Sequence, residues 1–202
     1  ERFMTVRMWK AALGMFAIVV LAELAGCSSP KETQQPKKEN EAQERNRTEQ
    51  KTIALQHFID GSLFESKNEY AQAIIEFQDA LRYDADPAIY YALAKNYSAL
   101  GKFALAAGAA NEAIKLDPNN ITYRETLAEI YIKEFQIDEA IAQYVEVLRI
   151  DSTHVQSMFN IAQLLTPKHP QHALEMYDKI LQRNGPDWEV LFKVAELNST
   201  LR

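Results

Sequence analysis

Between residues 87 and 120 the hydrophobic positions follow a helical period, not the alternation of a strand. Small and large apolar residues recur at spacings of three and four, at Tyr90, Leu93, Ala94 and Tyr97 and again at Ala106, Ala110 and Ala113. Gly101 separates the two series, and Pro118 closes the second. The pattern predicts two short amphipathic helices joined at Gly101. Such a hairpin cannot bury its apolar side alone.

The same residue types return at one interval along the chain. Small residues in the predicted first helices recur at steps of 33 or 34, at Gly61, Ala94, Ala128, Ala162 and Ala195. Those in the predicted second helices do the same, at Ala73, Ala106, Ala140 and Ala173. Small residues let paired helices approach closely, and larger neighbours fill the space between hairpins. We therefore predict an all-α chain with repeats at about 54–86, 87–120, 121–154 and 155–187 and a closing helix at 188–202.

A period of about 34 residues with this helix-turn-helix content resembles the tetratricopeptide repeat. Residues 87–120 match best, with Gly101 at the turn, Phe103 after it and Pro118 at the close. The resemblance implies an α-solenoid over residues 51–202, wound as a right-handed superhelix. It also implies that the first helices line a concave groove that binds a protein or peptide partner.

Two positions of each repeat point into the groove in the family that this chain resembles. The first, three residues before the small residue, holds Phe58, Tyr91, Glu125, Phe159 and Phe192. The second, one residue after it, holds Ser62, Lys95, Glu129, Gln163 and Glu196. Aromatic rings beside polar groups suit an extended or helical peptide, although rings that pack on the adjacent first helix are the alternative. Lys and Asn, which hold a C-terminal carboxylate in some relatives, are not the pattern here, so we expect no carboxylate clamp.

The first 26 residues are predicted to be a lipoprotein signal peptide. Arg7 and Lys10 precede an apolar run over residues 11–22, which is too short to span a bilayer of about 30 Å. The following Leu-Ala-Gly-Cys, which ends at Cys27, resembles the bacterial lipoprotein box and implies that Cys27 is lipidated. Ser28, where an Asp would favour the inner membrane, implies the outer membrane, with the repeats facing the periplasm. A retained leader and a leader created by the gene model are the alternatives.

Residues 27–50 contain, after Cys27, no apolar residue larger than Ala. Such a segment cannot bury surface, so we expect a flexible polar tether with some helix towards its end. Because two acyl chains anchor a protein stably, the repeats are expected to stand off the membrane on this tether.

Composition and motifs restrict the chemistry further. The net charge of −6 argues against a nucleic-acid backbone as ligand. His169 and His172 are a possible metal pair, but no Cys or acidic partner has a familiar spacing to them, and no phosphate loop or nucleophile elbow occurs. We expect no catalytic residue, metal, cofactor or small-molecule substrate.

The predicted function is therefore a protein-interaction scaffold in the bacterial envelope. The resemblance to lipoproteins of this build gives type IV pilus or secretin assembly as the first candidate pathway. Scaffolding of peptidoglycan hydrolases or proteases and outer-membrane protein assembly are the alternatives. The competing class is an enzyme or metal-binding protein that uses His169 and His172.

Overall fold

The computed structural model describes the backbone of residues 35–201 and the side chains of residues 40–201. This part of the chain is helical throughout, without strands. Its helices are α1 Gln35–Ser66, α2 Tyr70–Leu81, α3 Pro87–Ala99, α4 Phe103–Leu116, α5 Ile121–Lys133, α6 Ile137–Ile150, α7 Val155–Leu165, α8 Pro170–Asn184 and α9 Trp188–Thr200. The predicted signal peptide and Cys27 lie outside the described residues.

The helices form a stack of hairpins in which each element contacts its sequence neighbours. Within the hairpins, α3 packs on α4, α5 on α6 and α7 on α8, while each second helix also packs on the next first helix. Helix α9 packs on α8 and ends the array within residues 41–201. The predicted all-α solenoid is confirmed. Its hydrophobic core is a continuous row of interfaces between neighbouring helices, which we call the seam, and not a single central cluster.

The repeated small residues lie at the closest contacts of this seam. Seven of the nine are fully buried: Ala94, Ala128 and Ala162 in the first helices and Ala73, Ala106, Ala140 and Ala173 in the second helices. The exception in α9 is Ala195, which is exposed. In the first hairpin, Gly61 lies directly against the ring of Phe77. The absence of bulk at these positions lets the helix axes approach, so larger apolar residues can interdigitate around them.

Three of the four hairpin turns contain one residue in the left-handed backbone region. Asn68, Gly101 and Phe135 have φ of 62°, 70° and 59°. In each turn the next amide donates back across the helix end; in the second, the Lys102 N–H donates to the Tyr97 carbonyl over 2.9 Å. This satisfies a carbonyl that the helix itself leaves free. Glycine adopts this conformation without cost, so Phe135 is the strained member.

The starts of four first helices are capped by residues that also follow the repeat. The capping side chains belong to Asp86, Asn120, His154 and Asp187, each accepting from a backbone N–H in the first turn of the helix. At His154 the acceptor is the ring Nδ1, 3.2 Å from the Ser157 nitrogen. Capping satisfies amide groups that have no partner within the helix, and so fixes where each first helix begins.

Residues 35–50 of the expected tether belong to α1, so the helix expected towards its end begins earlier, at residue 35. The side chains of residues 40–52 are exposed, so packing does not hold this part of the helix. Its Glu, Gln, Arg and Ala residues are good helix formers, and extending a helix already fixed by the packed residues after it avoids the cost of nucleation. In the described part of the chain, α1 and every other helix fall short of the length and apolarity that a bilayer crossing requires.

Candidate functional site

Four of the eight predicted groove residues meet in one pocket between α3 and α5. Tyr91 and Lys95 approach it from α3, and Glu125 and Glu129 approach it from α5. Ser98 of α3 and Thr122, Thr126 and Lys133 of α5, which the two groove positions did not predict, complete its polar lining. We call this the central pocket; it encloses about 340 Å³. It lies on the side formed by the first helices α1, α3, α5, α7 and α9, which we call the first-helix face.

The cations of the central pocket are already engaged within the protein. Lys95 Nζ lies 2.7 Å from Glu65 Oε1 of α1. The hydrogen bond from Glu65 raises the pKa of Lys95, against the opposing effect of partial burial. Lys133 Nζ donates to Ser98 Oγ over 2.9 Å, which ties α5 to α3. Both ammonium groups are thus held at fixed positions on the pocket wall.

The carboxylates of the central pocket are less well compensated. Glu125 Oε1 lies 3.8 Å from His154 Nε2, a contact that is an ion pair only when the imidazole is protonated. Glu129 is exposed. Its charge acts on the buried Tyr144 of α6, whose pKa is raised to about 12, first by burial and then by repulsion from Glu129. The centre of the first-helix face is therefore electronegative.

Three of the four predicted groove rings are partly used inside the protein. Their centroids lie close to those of other rings: Phe58–Phe77 at 5.5 Å, Tyr91–Tyr123 at 5.3 Å and Phe159–Tyr177 at 5.6 Å. Phe58 and Phe159 reach the second helix of their own hairpin, while Tyr91 reaches the next first helix. Each of the three is half-buried. Phe58 and Phe159 thus cover the core of their own hairpins, and Tyr91 packs on the adjacent first helix, which is the alternative that the sequence left open.

Phe192 and Gln163 occupy the other end of the array. The Phe192 ring is 67% exposed on α9. Gln163 lines a pocket of about 260 Å³ between α7 and α9, together with Lys193 and Glu196, which pair at 3.1 Å. Phe192 is in the lining of neither this pocket nor the central pocket.

A third pocket lies at the other end of the first-helix face, between α1 and α3. Its floor is apolar and its rim is charged, and it is lined by Lys51, Ala54, Leu55, Phe58, Asp84, Asp86, Ala88 and Ile89. We call it the α1 pocket; it encloses about 250 Å³. Leu55, in this lining, is 57% exposed, and Ile59, one helical turn further along α1, is 51% exposed. A cavity with an apolar floor and a few polar groups is the usual form of a ligand site.

The repeat register contained a signal for the α1 pocket. The positions of Leu55 and Ile59 are occupied in the following repeats by Ala88 and Ala92, Thr122 and Thr126, Gln156 and Asn160, and Glu189 and Lys193. Of these five repeats, the first alone carries large aliphatic side chains at both positions. These two repeat positions therefore distinguish α1 from the later first helices, which the two groove positions do not.

The two histidines considered for metal binding have ring centroids 5.9 Å apart. Within residues 40–201, no three His, Cys, Asp or Glu side chains are arranged to hold a metal ion. His169 and His172 are both exposed at the start of α8.

Comparison with known proteins identifies the repeats. Two family models, each described as the tetratricopeptide repeat, match residues 87–120 and 122–154. The chain contains tetratricopeptide repeats. These two matches coincide with the second and third predicted repeats, the two that form the central pocket. No curated protein matches this sequence significantly.

Solved structures of similar fold include other tetratricopeptide proteins. YrrB, described as having an unusual peptide-binding site, is 25% identical with a TM-score of 0.60, over 71% of this chain and 74% of its own. PilF of Pseudomonas aeruginosa is 20% identical with a TM-score of 0.60, over 76% of this chain and 71% of its own. The first tetratricopeptide domain of Spaghetti (RPAP3), bound to the HSP90 peptide SRMEEVD, is 19% identical with a TM-score of 0.54, over 58% and 94%.

Proposed function

We propose that this protein is a scaffold that binds a segment of another protein along its first-helix face. The observation that carries the proposal is the α1 pocket, whose lining includes the exposed Leu55, together with the exposed Ile59 one helical turn further along α1. Exposed aliphatic groups that cluster at one pocket favour a docking role, whereas single ones scattered over a surface need no explanation. The central pocket continues this surface across α3 and α5 with fixed polar groups.

The binding role is tested by crosslinking in intact cells, followed by recovery of the protein and its partners. Leu55→Gln with Ile59→Gln should abolish partner recovery, because the docking surface loses its exposed aliphatic groups. The matched control is Ile75→Gln with Leu105→Gln, since these second-helix residues are 57% and 54% exposed. Equal partner recovery from wild type and both double variants would contradict the proposal.

We further propose that the scaffold is anchored by lipid at Cys27 to the outer membrane and faces the periplasm. The support is the sequence at residues 24–27 and the apolar run before it. Cys27→Ser should move the protein from the membrane to the soluble fraction and abolish incorporation of labelled palmitate. A Cys27→Ser protein that stays in the membrane fraction would instead indicate that the leader is retained as the anchor.

Type IV pilus or secretin assembly is the pathway that we propose for the scaffold. The support is the lipoprotein resemblance together with a fold shared with PilF, a likeness that concerns the fold alone at 20% identity. Deletion of the gene should then reduce surface pili or secretin multimers, and the Leu55 and Ile59 double variant should reproduce the loss. Normal pili and secretins in the deletion strain would reject this pathway and leave the binding role intact.

A further inference from the structure

We infer that the segment bound by the first-helix face carries an apolar anchor next to Lys or Arg, with a second basic residue about three positions away. This inference rests on the proposed binding function and adds the chemistry of the partner. It follows from the charges that border the α1 pocket and the central pocket.

The rim of the α1 pocket has more negative than positive groups. Asp84, Asp86 and Lys51 are its charged residues. Among residues 40–201, neither Asp84 nor Asp86 has a Lys or Arg nitrogen within 4.0 Å. Asp86 uses Oδ1 to cap α3, accepting from the Ala88 N–H over 2.7 Å. An apolar side chain on the floor would thus place its neighbours beside two carboxylates and one ammonium group.

The central pocket also has more uncompensated negative than positive groups. Lys95 is compensated by Glu65, and Lys133 is the remaining cation opposite Glu125 and Glu129. Neither glutamate has a Lys or Arg nitrogen within 4.0 Å among residues 40–201. The two pockets therefore offer four carboxylates against Lys51 and Lys133. Charge complementarity favours a basic segment, which would also be attracted over distance by the net charge of −6.

The spacing of the two pockets sets the spacing of the partner's residues. The α1 pocket lies between α1 and α3, and the central pocket lies between α3 and α5. Neighbouring packed helices are separated by about 8–10 Å. An extended chain covers that distance in about three residues. A residue that reaches Glu125 and Glu129 is thus about three positions from the apolar anchor.

The same charges exclude acidic segments. A Glu beside the apolar anchor would approach Asp84 and Asp86, and one three positions away would approach Glu125 and Glu129. Like charges at an interface are repulsive and act against the wrong partner. The acidic peptide SRMEEVD, which the domain of Spaghetti (RPAP3) binds, is therefore a suitable negative probe.

The test uses the full-length protein in detergent and synthetic fluorescent peptides of about ten residues. Each peptide carries Lys, Gln or Glu at two positions, one beside a central Leu-Phe pair and one three positions from it. The two positions are changed together to give the Lys, Gln and Glu forms, and also one at a time. Binding is followed by fluorescence anisotropy at about 50 mM and about 300 mM salt. We expect the Lys form to bind about tenfold more tightly than the Gln form at low salt, with the difference shrinking at high salt. The Glu form and SRMEEVD should not bind.

Charge-removing variants locate the effect. Asp84→Asn with Asp86→Asn should remove most of the preference for Lys beside the anchor, and Asn at residue 86 can still cap α3. Glu125→Gln with Glu129→Gln should remove the preference at the distant position. The control is Asp138→Asn with Glu139→Gln at the start of α6, which changes the net charge equally and should leave the preference unchanged.

The outcomes separate this inference from the binding function. Equal affinity of the Lys and Gln forms, tighter binding of the Glu form, or no binding of any form would overturn the basic-partner inference. If Leu55→Gln weakens all three forms equally while the charge variants change nothing, the face binds peptides but does not select basic ones. The binding function itself is tested separately, by partner recovery after crosslinking of the Leu55 and Ile59 double variant.

Discussion

Gly61 is the position where one added methyl group should be most costly to the first hairpin. A Cβ on Gly61 would lie 2.7 Å from Cε1 and 2.8 Å from Cδ1 of Phe77. The Phe77 ring is fully buried and also packs against Phe58 at 5.5 Å. Carbon atoms prefer separations of about 3.5–4.0 Å. The ring would have to move by nearly 1 Å in a space that is already filled.

Two opposing effects decide the sign of Gly61→Ala. Replacing a helical glycine by alanine stabilises a helix by about 1 kcal/mol. Overpacking a filled core costs about 1–3 kcal/mol. Because a contact below 3.0 Å demands movement of an enclosed ring, we take the upper part of that range and expect a net loss of about 1–2 kcal/mol. Gly108 is the matched control, since it is also helical but nothing lies within 4 Å of its added Cβ.

The assay is urea unfolding followed by far-UV circular dichroism. Gly108→Ala should raise the free energy of unfolding by about 1 kcal/mol. Gly61→Ala should lower it, and the double variant Gly61→Ala with Phe77→Leu should recover part of the loss through relief of the clash. If Gly61→Ala stabilises the protein as much as Gly108→Ala does, overpacking against Phe77 does not determine the sign of the change.

Three further predictions concern a turn, a buried phenol and a cap. Phe135→Gly should raise stability by up to about 1 kcal/mol in thermal unfolding, because relief of the strain at φ of 59°, about 1–2 kcal/mol, exceeds the entropy that glycine loses on folding, about 0.5–1 kcal/mol. The Tyr144 pKa is raised to about 12 from 10.0, so its contribution is complete below pH 10 and is lost towards pH 12. Tyr144→Phe should flatten the fall in unfolding free energy across that window, where about 3 kcal/mol is at stake. Asp187→Ala should cost about 1 kcal/mol of stability to urea, and Asp187→Asn should cost much less.

The fold was predictable because a repeat array depends on contacts between neighbours. Each hairpin needs small residues where its helices cross, and these residues return at a fixed interval that is visible without any structure. Ala94, Ala128 and Ala162 are fully buried as the interval predicts. The start of α1 was less predictable, since the helicity of its exposed residues depends on the packed residues that follow.

The ring positions show why the site was harder to predict than the fold. The repeat register gives the direction in which a side chain leaves the helix, but a phenyl ring reaches far enough to turn back onto the hairpin. Phe58 and Phe159 do so by contacting Phe77 and Tyr177. Polar residues at the same face, such as Lys95, cannot be buried in that way and therefore remained at the predicted pocket.

Within residues 40–201, the side of α1 that corresponds to the α2-facing side of α3 is more polar than its α3 counterpart. In α3 the positions that face the preceding second helix hold Ile89, Leu93 and Asn96, all buried. The corresponding positions of α1 hold Gln56, Asp60 and Leu63, and two of these three are polar; Gln56 Nε2 donates to Asp60 at 3.2 Å. This side of α1 is thus already adapted to water. The α3 equivalents of Leu55 and Ile59 are Ala88, which lines the α1 pocket, and Ala92, which is buried in the cluster against α2. Leu55 thus lies in the α1 pocket and Ile59 at the border of the polar side of α1, and crosslinking of the Leu55 and Ile59 double variant decides whether a partner covers them.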